Sequence, residues 1–223
     1  SNPNLQQVPA RNKRIGPLIR SLFLPEEGER WCSADFSQQE PRILTHYSDL
    51  SKYEGADIIA DAYREGDADF HQEVATLVGI DRSTAKTIGL GIMYGMGKGK
   101  LANILDLSME EATTLLDKYN DKVPFLKRIS EKAMRRAADS GVIRTWLGRK
   151  CRFNMYEPIS YTYNKALPMK EAIDEYGGKG RIRRAFTYKA LNRLIQGSAA
   201  DMTKKSMIEL HKEGITPHIH GLL

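Results

Sequence analysis

The chain has 223 residues, enough to bury a sizeable core as one large domain or two small ones. Its 34 Lys and Arg against 28 Asp and Glu give a net charge of +6 and a pI near 9.2, which favours a polyanionic partner because phosphates release counterions to Lys and Arg. No run of about 18 apolar residues and no basic-then-apolar leader occurs, and Cys32 and Cys151 are too few and too far apart for a disulfide framework or a zinc site, so the expectation is a cytoplasmic protein without a membrane partner.

In chain order, Ser1 to Arg11 is polar and proline-punctuated, a loop. Pro25 to Gly28 reads as a turn, and Arg30 to Ala34 as a short buried strand that delivers Asp35 at its end. Ser37 and Glu40 have capping-box spacing before a helix through Ile43, Leu44 and Tyr47. Asp49 to Ile80 is helical and charged, with Ile58, Ile59, Ala62 and Tyr63 on one side. Next, at 3.6 residues per turn, Arg82, Lys86, Leu90 and Tyr94 fall on one stripe, basic at its start and aromatic at its end. Gly89 and Gly91 each cost about 1 kcal/mol relative to Ala, which suggests a close approach to the backbone. A flat ligand carrying a polyphosphate fits that face.

Ser108 and Glu111 form a second capping-box pattern before a helix that stops ahead of Pro124. Phe125, Ile129, Ala133 and Ala137 mark another, ended by Gly141. Val142 to Arg152 alternates as a strand entering a Gly-Arg turn, whereas Tyr156 to Arg184, with Pro158, Pro168 and Gly177 to Gly180, reads as an irregular surface insertion. Its basic end at Arg181, Arg183 and Arg184 suits nucleic-acid contact. A long helix follows from about Phe186 to Lys212, with Leu191, Leu194, Ile195, Ser198 and Met202 inward and Asn192 and Gln196 on another face.

Four separately spaced stretches, Asp35 to Arg42, Arg82 to Gly95, Thr145-x-x-Gly148-Arg149 and Asn192 to Asp201, resemble motifs of family A DNA polymerases, the bacterial DNA polymerase I family. The resemblance implies that Asp35 and the backbone carbonyl of Phe36 bind two Mg²⁺ ions, hard cations that prefer carboxylate and phosphate oxygens. It implies that Glu40 excludes a 2′-hydroxyl, that Arg82 and Lys86 grip the triphosphate with His71 nearby, that Leu90 packs on base or sugar and that Tyr94 stacks near the templating position. Arg20 and Arg149 would contact DNA, and the Asn192 and Gln196 amides would donate to minor-groove acceptors shared by all correct pairs. Leu90 departs from the usual Phe or Tyr, and Pro41 from the usual Leu.

The fold implied is α/β: a partial palm with a small antiparallel sheet, in residues 1–48 and 186–223, and a mostly helical fingers subdomain in residues 49–185, with the irregular insertion at about 155–185. The opening Ser1 to Gln6 stretch also resembles the family, so the chain is expected to begin inside a larger protein. The family's second acidic metal motif is expected after His220; either it has been replaced there or it lies beyond Leu223. The expected partners are primer-template DNA and deoxynucleoside triphosphates, acting on a monomer. Three functions follow: template-directed DNA synthesis by a two-metal mechanism, with this chain an incomplete core; a catalytically incomplete primer-template-binding domain; or an RNA polymerase relative, which Glu40 disfavours.

Overall fold

Two units organise the backbone of the computed structural model, Ser1–Ser37 with Ser206–Leu223, and Gln38–Lys205. Residues 12–30, 32, 34–66, 68–160 and 165–216 are described; the Ser1 to Arg11 loop and the end containing His220 lie outside them. In the smaller unit Asn12 accepts the N–H groups of Arg14 and Ile15, each at 3.0 Å, just ahead of α1 (Gly16–Arg20). The strand expected at Arg30 to Ala34 is not formed by the described residues of that stretch, Arg30, Cys32 and Ala34, which are all exposed. A strand needs an edge to pair with, and the described residues of this unit offer none.

The larger unit starts with α2 (Gln39–Leu50), α3 (Ala56–Glu65), α4 (Phe70–Val78), α5 (Arg82–Met93), α6 (Lys98–Leu105), α7 (Met109–Lys122) and α8 (Pro124–Ser140). Their apolar faces meet in one core that includes Leu44, Ile59, Phe70, Val74, Ile88, Tyr119 and Phe125. The cap at Ser108 and Glu111 is made in both directions, at 3.1 and 2.9 Å, and Gly141, at φ +70°, stops α8. The box expected at Ser37 and Glu40 is not made. Helix α2 is instead capped at Gln38, one residue later, in the left-handed region at φ +50°. The Gln38 amide ties that turn to the start of α4: its Oε1 accepts from Phe70 N–H at 2.9 Å and Tyr63 O–H at 3.0 Å, and its Nε2 donates to Ala68 O at 2.8 Å.

Strands β1 (Val142–Arg144) and β2 (Lys150–Arg152) form an antiparallel hairpin that turns through Gly148 at φ +85°. The stretch expected to be irregular is folded: β3 (Met155–Pro158), β4 (Leu167–Pro168) and β5 (Ile182–Arg184) make a sheet in the order β4-β3-β5, against which α9 (Met169–Tyr176) packs. Glu157 receives Arg183 Nε at 2.9 Å, and Arg184 stands 5.2 Å over the ring of its strand partner Tyr156. Such cross-strand pairs between distant segments leave no periodic trace in the sequence. Helix α10 (Ala190–Lys212) begins after a 3₁₀ turn at Thr187–Lys189, later than expected, because Phe186 takes φ +61°.

The two glycines of α5 serve internal packing. Both are buried; a Cβ on Gly89 would stand 3.1 Å from Tyr119 Oη, and one on Gly91 would stand 3.3 Å from Met96 Sδ. The close approach read from the sequence is therefore made by the chain's own side chains.

Tyr119 is fully buried, and its hydroxyl has no hydrogen-bond partner among the described residues. Burial pushes its ionisation far upward. A desolvated, unpartnered hydroxyl costs about 1 kcal/mol or more, so Tyr119→Phe is expected to leave stability unchanged or raise it by about that amount, read from urea midpoints at constant m-value. A loss above about 1 kcal/mol would reveal a partner for the hydroxyl.

Candidate nucleotide-binding site and nucleic-acid interface

Side chains on α5 meet two groups of residues, one at each end of the helix. At its start Asp81 caps the first turn by accepting Thr84 N–H at 3.0 Å. Asp69 caps α4 by accepting the N–H groups of His71 and Gln72 with Oδ1, at 3.0 and 3.2 Å. Its other oxygen receives Nε and Nη2 of Arg82, at 2.8 and 2.6 Å. One carboxylate thus fastens the first turn of α4 to the first residue of α5. Burial acts to lift the Asp69 carboxyl, but Arg82 and the two helix N–H groups outweigh it and hold it below the usual carboxylate range.

Lys86, one turn on, is exposed and makes no ion pair among the described residues. His71 is 6% exposed, packs edge-on against Phe70 and has an unpartnered Nδ1 among the described residues. Its imidazole senses Asp69, Lys86 and Arg82, and burial, the largest influence, holds it below its ordinary value. The structure therefore brings Arg82, Lys86 and His71 into one electrostatic group.

At the other end Leu90 is half-buried against the core, so only part of it faces outward. Tyr94 is 41% exposed and donates its hydroxyl to Glu40 Oε2 at 3.2 Å. Burial and then the Glu40 charge raise its ionisation, while the nearby Gln196 amide acts the other way. Glu40 of α2, Tyr94 at the C-terminal cap of α5 and Gln196 of α10 are thus neighbours. Helical rise separates Arg82 from Tyr94 by about 18 Å.

Asn192 sits one turn before Gln196 on α10 and is half-exposed. Arg149, in the turn after β1, is anchored to the same helix: Nε donates to Asp201 Oδ1 at 2.7 Å and Nη2 to Gly197 O at 2.6 Å. Thr145 Oγ1 donates to the other Asp201 oxygen. Gly197 permits this contact, since a Cβ there would fall 2.7 Å from Thr145 Cγ2. Burial acts to raise the Asp201 carboxyl, and the Thr145 and Arg149 hydrogen bonds bring it below its usual value.

Asp69 and Asp201 are the residues that sequence reasoning missed in these supporting roles. Asp69 carried a signal, an aspartate immediately before an apolar run. Asp201 lies three residues after inward-facing Ser198 and one before Met202, and a carboxylate on a buried stripe demands a partner.

Asp35 and Phe36 belong to the smaller unit, where both are exposed. Arg20 is the last residue of α1, and its side chain lies outside the description. Among the described residues no three His, Cys, Asp or Glu side chains gather into a metal-holding group. One carboxylate is too small a donor set for two hard divalent ions, so the described residues alone do not build that centre.

Comparison with known proteins assigns this arrangement to a class. Residues 1–220 match the model of DNA polymerase family A, and the chain belongs to that family. It is 34% identical over 256 residues to the DNA-directed DNA polymerase of Pseudomonas phage M6, covering 96% of this chain and 35% of that protein. It is 35% identical over 222 residues to DNA polymerase I of Streptococcus pneumoniae TIGR4, covering 95% of this chain and 22% of the relative. The POL domain of Pol1 from M. smegmatis, solved in complex with DNA primer-template and dNTP, superposes with a TM-score of 0.72 at 28% identity, over 98% of this chain and 35% of that one. The fold is a partial polymerase α/β fold, mostly helical with small antiparallel sheets. The chain thus spans between 22% and 35% of the length of these relatives. No helix among the described residues is long and apolar enough to cross a membrane.

The burial of His71 yields a pH prediction. Its folded value is depressed, so the unfolded chain binds this proton more readily; the His71 contribution to stability is intact above about pH 6.5 and is lost as pH falls toward the folded value. An NMR titration of the imidazole is expected to give a midpoint below about 6.5. Stability should fall more across that window in the native sequence than in His71→Gln; a midpoint at or above the ordinary value would contradict the burial.

Proposed function

We propose that the chain supplies the deoxynucleotide-binding and part of the duplex-binding surface for template-directed DNA synthesis. The observation that carries the reading is the division of labour along α5: exposed cations at its N-terminal end, and the Glu40, Tyr94 and Gln196 cluster at its other end. Arg82 and Lys86 offer charge to a triphosphate, with Arg82 pre-oriented by Asp69. His71, kept neutral by burial, becomes easier to protonate when phosphate anions arrive beside it. Leu90 and Tyr94 are assigned as the apolar and aromatic neighbours of the base, and Glu40, which accepts the Tyr94 hydroxyl, is assigned to reject a 2′-hydroxyl. Asn192, Gln196 and the anchored Arg149 form a polar strip suited to a duplex minor groove, with Arg20 a further DNA contact. Residues 1–48 and 186–223 are assigned to the palm and 49–185 to the fingers.

Two Mg²⁺ ions would supply the Lewis acidity for nucleotidyl transfer. Asp35 and the Phe36 carbonyl are assigned as part of their ligand set, which needs further carboxylates. A second reading, a primer-template-binding domain without catalysis, draws on the commitment of Asp201 to Arg149 and Thr145, which leaves it unfit to serve as the missing ligand. An extension assay tests whether the chain's own residues suffice for the centre. With Mg²⁺ and all four deoxynucleotides, the 223-residue chain is expected to bind primer-template weakly and in a salt-dependent way and not to extend the primer; robust extension would show that its own residues complete the centre.

Two substitutions test the nucleotide site. Lys86→Ala should weaken deoxynucleoside triphosphate binding by about tenfold, the loss of one charge-assisted contact worth roughly 1.4 kcal/mol, measured by calorimetry. Unchanged affinity would return Lys86 to a solvated surface. In Glu40→Ala the preference for deoxy- over ribonucleoside triphosphate should narrow by about tenfold. Unaltered preference in a folded variant would mean that Glu40 acts only on Tyr94.

A further inference from the structure

Helix α8 carries a second cationic surface, away from the residues assigned above. Arg128, Lys132, Arg135 and Arg136 are exposed on successive turns of the helix, while Phe125, Ile129, Ala133 and Ala137 follow the adjoining stripe and enter the core. The position of α8 is thus fixed by its apolar face, and folding does not require the cations. They line an open groove of about 660 Å³, and Tyr53 contributes its aromatic wall. Lys132 braces that wall, with Nζ 5.7 Å from the ring centroid and donating to Ser51 Oγ at 3.0 Å.

The remaining cations are free to meet a ligand. The contact of Arg128 with Glu54 is long, at 4.0 Å, and strongly exposed, so it is worth little. Arg135 and Arg136 make no ion pair or side-chain hydrogen bond among the described residues. Two carboxylates, Glu131 and Asp139, share the rim with four cations, so the groove keeps a positive surplus.

We propose that this groove binds the phosphate backbone of single-stranded nucleic acid, with Tyr53 as a stacking neighbour for a base. Basic grooves interleaved with aromatic rings hold single strands without reading sequence. A lipid surface fits poorly, because the groove is concave and no large aliphatic side chain lines it. The choice of a polynucleotide over another soluble polyanion rests on the polymerase reading; the strand that suits it is template running beyond the duplex.

The test measures binding of the 223-residue chain to a single-stranded oligonucleotide and, separately, to a blunt duplex, across a salt series. Neutralising Arg128, Arg135 and Arg136 together to Gln should make the slope of log affinity against log salt shallower by about 2 for the single strand, at roughly 0.7 per phosphate contact, and leave duplex affinity within about twofold. Lys100, Lys118 and Lys122→Gln, an equal charge loss on α6 and α7, should leave the single-strand slope nearly unchanged. Arg135→Gln alone, the mildest change, should lower the slope by about 0.7. The proposal is overturned if the α6 and α7 variant weakens binding equally, if the groove variants keep the original slope, or if the native chain prefers anionic vesicles to the oligonucleotide. Loss of duplex binding with single-strand binding intact would count against the proposed function and leave the groove standing.

Discussion

The close burial of α5 against α4 and α8, with Tyr119 of α7 beneath Gly89, is the constraint on which the rest depends. Ala85, Ile88, Gly89 and Met93 form its inward face, and at Gly89 only a hydrogen fits comfortably beneath the Tyr119 hydroxyl. Burying Ile88 contributes about 1.5–3 kcal/mol, whereas a glycine costs the helix about 1 kcal/mol, so the packed arrangement wins at this site. With that face committed, the helix has a single orientation. Arg82 and Lys86 are necessarily exposed, and Tyr94 is delivered within reach of Glu40.

Electrostatics then refine what packing has placed. The Arg82–Asp69 pair is exposed on both sides, at 50% and 36%, and such a pair adds at most about 1 kcal/mol to stability. Its consequence is geometric: a planar guanidinium is held beside the first turn of the helix before any anion arrives. The Arg149–Asp201 pair acts similarly from a more buried position, with the carboxylate only 6% exposed. There the contact joins the turn after β1 to α10, and removing one partner would strand a charge. Both aspartates hold an arginine whose own ligand is a phosphate or a base edge in the proposed function.

Much of this was legible in the sequence. The 3.6-residue stripe from Arg82 to Tyr94, the cap at Ser108 and the stop at Gly141 are local signals, and local physics was enough to read them. What failed was non-local. Ser37 and Glu40 have capping-box spacing, yet the Gln38 amide finds partners at Ala68 and Phe70 and moves the helix start by a residue. Residues 156–184 looked irregular because their pairing joins Tyr156 to Arg184, with β4 and α9 between them in the chain. The glycine pair in α5 signals a close approach to the backbone without naming what approaches: Met96 lies just beyond Gly91, whereas Tyr119 comes from α7, a segment that no local window around Gly89 contains.

The central claim is that the exposed stripe of α5 receives the phosphates of a nucleotide. The most direct measurement is the map of backbone amide shift changes as a deoxynucleoside triphosphate is titrated into the isotopically labelled chain. The account predicts the largest changes in the first two turns of α5 and at His71, with smaller ones at Tyr94. Changes centred elsewhere, on α8 or scattered over the surface, with α5 silent at saturation, would contradict it.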